Sequence, residues 1–249
     1  MIRLAAATVL LQWATGGLFV LWVTGRHRIV GPGYGWLLRG VFGAIAAGGA
    51  AIGFGLDGVE PGHVGAALVA LWCVTGIVVS ARRRERFRPA LDLIGVGAGV
   101  VGLVVTAADS GGPVALALVR TLAGAAFMGA ITDAMLLGHW YLVQPGLERR
   151  YLVELVYVVA AVWPLEVAAM LLPTGMVSVF TGAVDDGWSG TLGWMWAACA
   201  VTTIVLVAVT RAALRERSYS AVMAATGLLY LAILTAFGTD LVARAVLAG

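Results

Sequence analysis

Five ionisable side chains fall within two long apolar runs between Leu116 and Leu172: Arg120, Asp133 and His139 on the first, Glu154 and Glu166 on the second. A charge at bilayer depth costs roughly 2.5–3.5 kcal/mol on insertion scales. Such residues mark function by default, with structural pairing as the rival explanation. Carboxylates in this setting suit proton transfer, which makes Asp133, Glu154 and Glu166 the candidate relay. An imidazole, an indole and a phenol in succession, His139-Trp140-Tyr141, can bond to and stack on a quinone head group. The same trio also resembles any interfacial aromatic belt.

A short polar turn, Gln144 to Arg150, joins the two runs, so they form an antiparallel hairpin. At about 1.5 Å per residue, depth from the turn sets three levels. These are His139 with Glu154, Asp133 with Tyr157, and Arg120 with Glu166. The last is the natural structural pair. Helical angle limits the scheme. His139 and Asp133 lie about 240° apart around one helix, so at least one level must face another element. Glu166 follows Trp163-Pro164-Leu165. Pro164 has no N–H to donate and frees the carbonyl of Ala160, giving a polar break beside a carboxylate. Asp240 and Arg244, four residues apart, are expected to pair at the outer interface.

Other chemistries have little support. There is no phosphate-binding Walker pattern, no HExxH and no GxSxG. The run Gly97 to Gly102 matches GxGxxG but has no preceding soluble strand, so it is assigned to helix packing, as is the Gly95/Gly99 pair. No metal site is expected. No covalently bound cofactor is expected, and haem is disfavoured: His27 and His63 lie in loops on opposite sides, so neither matches His139 as a second axial ligand. Cys73 and Cys199 sit mid-run and are expected to be free thiols.

The elements that must position these groups follow from composition. The 249 residues are 61% hydrophobic and 12% charged, with mean hydropathy +0.97, against about 25% charged for a soluble domain. The fold class is therefore an all-α polytopic membrane bundle in one transmembrane domain. About eight spans are predicted, near 4–24, 35–55, 64–81, 91–108, 116–142, 151–172, 192–210 and 219–243. Each approaches the ~20 residues a crossing needs. The first is read as a span and not a cleaved signal. Thirteen of the sixteen arginines, including Arg26, Arg28, Arg39, Arg149 and Arg150, fall at the junctions after odd-numbered spans. Asp57, Glu60, Asp109, Asp185 and Asp186 fall on the other side. The positive-inside rule then makes the arginine-rich side cytoplasmic and places both termini outside, with Arg3 as a mild exception.

Two further features stand out. The connection 173–191 is long, and its apolar part suggests a surface-lying or re-entrant element. Arg84-Glu85-Arg86 before the fourth span resembles Arg215-Glu216-Arg217 before the eighth, a weak sign of two four-helix halves. The expected function is a membrane subunit of a redox or energy-converting complex that meets quinone or relays protons. A proton-coupled transporter or exporter of a small solute and a non-catalytic scaffold are the alternatives. The expected surroundings are a bacterial plasma membrane and partner subunits, without nucleic acid.

Overall fold

The protein was analysed as a computed structural model that describes residues 5–83, 88–110 and 112–247. It is 81% helix, without strands among those residues. Eight helices are long and apolar enough to cross a membrane: α1 (Ala6–Gly25), α2 (Pro32–Leu56), α3 (Pro61–Arg83), α4 (Asp92–Ala108, extended by a 3₁₀ turn Pro89–Leu91), α5 (Val114–Trp140), α6 (Arg150–Leu171), α8 (Thr191–Ala213) and α9 (Tyr219–Leu247). The four-residue α7 (Val177–Phe180) lies in the long connection. Large apolar side chains such as Leu71, Val101, Leu165 and Leu234 point outward. In water they would be a liability, whereas in lipid they need no cover. The chain is a multi-pass membrane protein in contact with the bilayer.

Pro32 and Pro61 open α2 and α3, where a missing N–H costs nothing. Helix packing follows a repeated plan. α1 packs on α2, α2 on α3, α3 on α4, and α4 back on α1; likewise α5 on α6, α6 on α8, α8 on α9, and α9 back on α5. Two four-helix rings thus share one order of contacts, and they meet along α1 and α5. This is the arrangement a duplicated half would produce. The Arg84-Glu85-Arg86 echo itself lies outside the described residues, as does Arg3.

α1 is the most enclosed span. Its crossing with α5 is backbone on backbone: a Cβ on Gly16 would stand 1.7 Å from the Ala125 carbonyl oxygen, and one on Gly129 2.2 Å from the Gly16 carbonyl carbon. Small residues substitute here for the hydrophobic drive that lipid cannot supply. Gly95 and Gly99 do face neighbours, Trp72 and Thr15 respectively, while Gly97 has open space beside it. The 173–191 connection folds over the acidic end of the second ring. Met176 and Val179 are buried with Met170, Trp196 and Val242. Both cysteines are free thiols.

Candidate functional site

The hairpin levels drawn from depth alone do not form, because azimuth sends each side chain elsewhere. Glu154 faces the α1–α2 connection: it accepts from Arg26 Nη2 at 2.6 Å and pairs with His27 Nε2 at 2.9 Å. His139 turns outward and meets Tyr230 of α9 edge-on. Tyr157 is exposed, and its hydroxyl accepts from Arg211 Nε at 2.8 Å, so it does not serve Asp133. Arg120 does not bond to Glu166. Its Nε donates to Ala169 O at 3.0 Å and its Nη2 to Leu172 O at 2.6 Å. It therefore caps the carbonyls at the end of α6, groups that a helix C-terminus leaves without partners.

His139, Trp140 and Tyr141 do not converge on one head group. Trp140 packs at a tilt against Tyr34 of α2 and donates to Gln144 Oε1 at 3.1 Å. Tyr141 donates to Glu148 O at 2.7 Å, inside the turn. Three consecutive residues at about 100° intervals cannot face one way.

Two buried polar sites emerge instead. The first lies on the arginine-rich side. A cavity of about 480 Å³ opens between α1, α2, α3 and the start of α4, lined among others by Arg28, Tyr34, Trp36, Arg39, Ser80 and Asp92. This volume falls within the usual range of ligand pockets, about 300–1,000 Å³. Arg39 and Asp92 form a bidentate pair across it, Nε to Oδ1 at 2.8 Å and Nη2 to Oδ2 at 2.6 Å. Both are nearly inaccessible, at 6% and 1% of side-chain surface. Arg39 is thus no loop charge, as its junction position suggested, but a fixture inside α2. Trp36 Nε1 donates to Ser80 Oγ at 2.8 Å.

Behind the cavity wall lies Asp133. It is fully buried, and neither of its oxygens has a hydrogen-bond partner among the described residues. It lies within electrostatic reach of the Tyr34 phenol and of Asp92. The Tyr34 and Thr24 hydroxyls are likewise buried, within reach of each other but without a well-formed hydrogen bond among the described residues. Unsatisfied polar groups of this kind cost about 1–3 kcal/mol each. Three of them around one point mark a place that the fold keeps polar at a cost.

The second site lies on the acidic side, where α1, α5, α6 and α9 meet. Arg244 Nε donates to Asp240 Oδ2 at 2.7 Å, and Gln12 Nε2 donates to Asp240 Oδ1 at 3.2 Å. Arg244 Nη2 donates to Gln12 Oε1. Asp240 and Arg244 do pair as their spacing predicts, yet they are fully buried and not interfacial. Glu166 joins this group. It is fully buried beside Asp240, its oxygens without a donor among the described residues. Gly124 makes the room: a Cβ there would stand 2.6 Å from Asp240 Oδ1.

Sequence reasoning missed Gln12, Tyr34 and Asp92. A glutamine in the middle of the first span was the available signal; for Asp92 it was an acid inside the first turn of the span predicted at 91–108. Among the described residues, no three His, Cys, Asp or Glu side chains are grouped to hold a metal ion. His63, expected in a loop, is buried in the first turn of α3, its Nδ1 2.9 Å from Gly58 O. No protein-family model, curated protein or solved structure matches the chain.

Proposed function

We propose that the protein is a proton-relaying, quinone-interacting subunit of a redox or energy-converting complex in a bacterial plasma membrane, with its arginine-rich side in the cytoplasm. One observation carries this reading: Asp133, a fully buried carboxyl without a hydrogen-bond partner among the described residues, lies within electrostatic reach of Tyr34, which lines a cavity large enough for a ring-shaped head group. Buried ionisable groups inside membrane bundles are characteristic of proton relays. The cavity's apolar and aromatic walls, Leu21, Val30 and Trp36, suit a planar ring. The ion pair Arg39–Asp92 and the hydroxyl of Ser80 supply polar contacts for its oxygens. Tyr34 at the cavity wall and Thr24 beside it would supply the hydroxyls for proton passage between such a ligand and Asp133. Electron transfer would fall to partner subunits.

Titration of the protein in nanodiscs with a short-chain quinol tests this. Calorimetry in two buffers of different ionisation enthalpy reads both affinity and protons exchanged. Trp36→Ala should weaken binding roughly tenfold, about 1.4 kcal/mol. Asp133→Asn should leave affinity nearly unchanged and remove the proton linkage. Absence of quinol binding, or a linkage indifferent to Asp133, refutes the reading.

A second reading, a proton-coupled exporter or importer of a small solute, is favoured by one feature, the two rings of like contact order meeting at α1 and α5. Paired halves with polar groups at their junction are a common transporter plan. Solute uptake driven by a pH gradient, with no quinol binding, would select it.

A further inference from the structure

We propose that the mouth of the arginine-side cavity is a phosphate-binding subsite, one that holds a phosphoryl oxyanion carried by an anionic lipid head group or by a soluble phosphoester. This goes beyond the quinone reading. It concerns the charged rim of the cavity and not its apolar interior, and it stands whether or not a ring occupies that interior.

Among the described residues, the charged groups lining the cavity are the guanidinium groups of Arg28, Arg39 and Arg88 and the carboxylate of Asp92. Arg39 engages both Asp92 oxygens, so that buried pair is neutral. Arg28 and Arg88 are exposed and leave the rim with two positive charges. They arrive from separate elements: Arg28 from the α1–α2 connection, Arg88 from just before the 3₁₀ turn that opens α4. The backbone adds to the same field. Gly31 and Pro32 at the start of α2, and Pro89 at the start of the α4 extension, line this cavity too, and neither start carries a side-chain cap. A helix N-terminus presents about half a positive charge and favours an anion. Arg88 even takes the capping position where Ser, Asp or Asn is preferred. The positive-inside rule asks for arginines at this junction. It does not ask them to gather at one cavity's rim beside two helix starts. Beneath the rim, Arg39 packs its Nη1 over Gly35, where a Cβ would stand at 2.8 Å, so the floor is a fixed guanidinium. A guanidinium donates two parallel N–H groups to two oxygens. A carboxylate's two oxygens fill one such fork, whereas a phosphoryl group has three and can bridge forks from two elements.

Two experimental arms separate the sources, and neither contains quinol. In the first, protein released from nanodiscs of equal parts phosphatidylglycerol and phosphatidylcholine is weighed by native mass spectrometry. Selective retention of phosphatidylglycerol identifies a lipid source. In the second, protein in pure phosphatidylcholine nanodiscs is titrated with glycerol phosphate, and binding there identifies a soluble source. Binding in at least one arm should fall roughly tenfold or more when Arg28→Gly is combined with Arg88→Gln. It should be unchanged in Arg217→Gln, an exposed arginine on the same side but outside the cavity. It should also survive Trp36→Ala, which separates this subsite from the quinol reading. Glycine is the choice at position 28 because φ there is 54°, a left-handed conformation that glycine takes without strain, so the turn should persist. Should the double variant fail to fold, phenylglyoxal labelling of the unaltered protein replaces it. The bound probe should protect Arg28 and Arg88 and leave Arg217 reactive. The proposal is overturned if neither probe binds, if Arg217→Gln weakens binding as much as the double variant does, or if the probe gives Arg28 and Arg88 no protection.

Discussion

The Arg39–Asp92 pair offers a stringent test of how dry the cavity side is. Asp92→Asn removes the charge that two guanidinium donors, Nε and Nη2, are bonded to at 2.8 and 2.6 Å. Asn keeps one acceptor oxygen, so one donor is left unsatisfied at about 1–3 kcal/mol, and the remaining bond loses its charged acceptor at roughly 1–2 kcal/mol more, for roughly 2–5 kcal/mol. That bracket agrees with about 3–5 kcal/mol for breaking one partner of a buried ion pair. The pair links α2 to α4, which are not sequential neighbours in their ring, so the loss should also loosen the ring. Arg39→Met combined with Asp92→Leu should recover most of the stability, because an apolar replacement leaves nothing unpaired. Reversible unfolding in mixed micelles, run as a double-mutant cycle, measures both. At about 1.4 kcal/mol per tenfold, the single variant should lose roughly 10²–10⁴ in its folding equilibrium. A cost for Asp92→Asn below about 1 kcal/mol would refute the reasoning. It would show a pair screened by water as on a surface, with the cavity flooded through to α4.

Three other outcomes are expected. Gly16→Ala should destabilise by more than the usual ~1–3 kcal/mol of overpacking, because its Cβ meets the Ala125 carbonyl at 1.7 Å; Gly97→Ala, with nothing within 4 Å, should be neutral or mildly stabilising. Thermal size-exclusion profiles compare the two. Asp186 lies in the connection before α8, and what burial it has pushes its carboxyl up; this is outweighed by bonds from the backbone N–H groups of Gly190, Trp188 and Leu192, at 2.8–2.9 Å, so the group sits below the ordinary aspartate value. A lowered folded value stabilises above the unfolded one, about 3.9, and is lost as pH falls through the folded one. Hydrogen-exchange protection at those three amides, relative to the free-chain rate at each pH, should therefore be high at neutral pH, be lost only in that acid range, and be low throughout in Asp186→Ala. Finally, a tag at either terminus should be reachable only from the extracytoplasmic side, as the arginine distribution requires; labelling from the cytosol would invert the proposed orientation of both sites.

The spans were legible because hydropathy is a property of single segments. The first, expected at 4–24, is Ala6–Gly25, and the last, expected at 219–243, is Tyr219–Leu247. Depth was legible for the same reason. Partnership was not. Arg120 and Glu166 share a level, but Arg120 finds backbone carbonyls one turn and more beyond Glu166, while Glu166 turns to Asp240, 74 positions further along the chain. Which face of α5 meets α1, and at what height, is decided by the Gly16–Ala125–Gly129 contact. Nothing in either segment alone announces that pairing. Gln12 acquires its meaning only once that crossing brings it beside Gly124 and Asp240.

The same crossing separates the two polar sites. Gln12 and Gly124 lie on its acidic side; Thr24 and Asp133 lie on its arginine-rich side. Along α5, nine residues from Gly124 to Asp133 span about 13.5 Å, several times the length of a hydrogen bond. Between them the two backbones touch, and the Trp13 indole fills the flank, donating to Thr132 Oγ1 at 2.8 Å and packing edge-on against Phe237. Among the described residues, no side-chain hydrogen bond joins the Gln12–Asp240–Arg244 cluster to Asp133. Joining the two sites requires α1 to move relative to α5. Insulation of this kind serves a relay that must not leak, and it equally serves an alternating carrier. The two functional readings differ in whether α1 and α5 part during turnover. A short bifunctional thiol cross-linker between cysteines placed at Trp13 of α1 and Thr132 of α5, whose side chains touch across the crossing, should spare a relay that uses the cavity alone and stop a carrier outright.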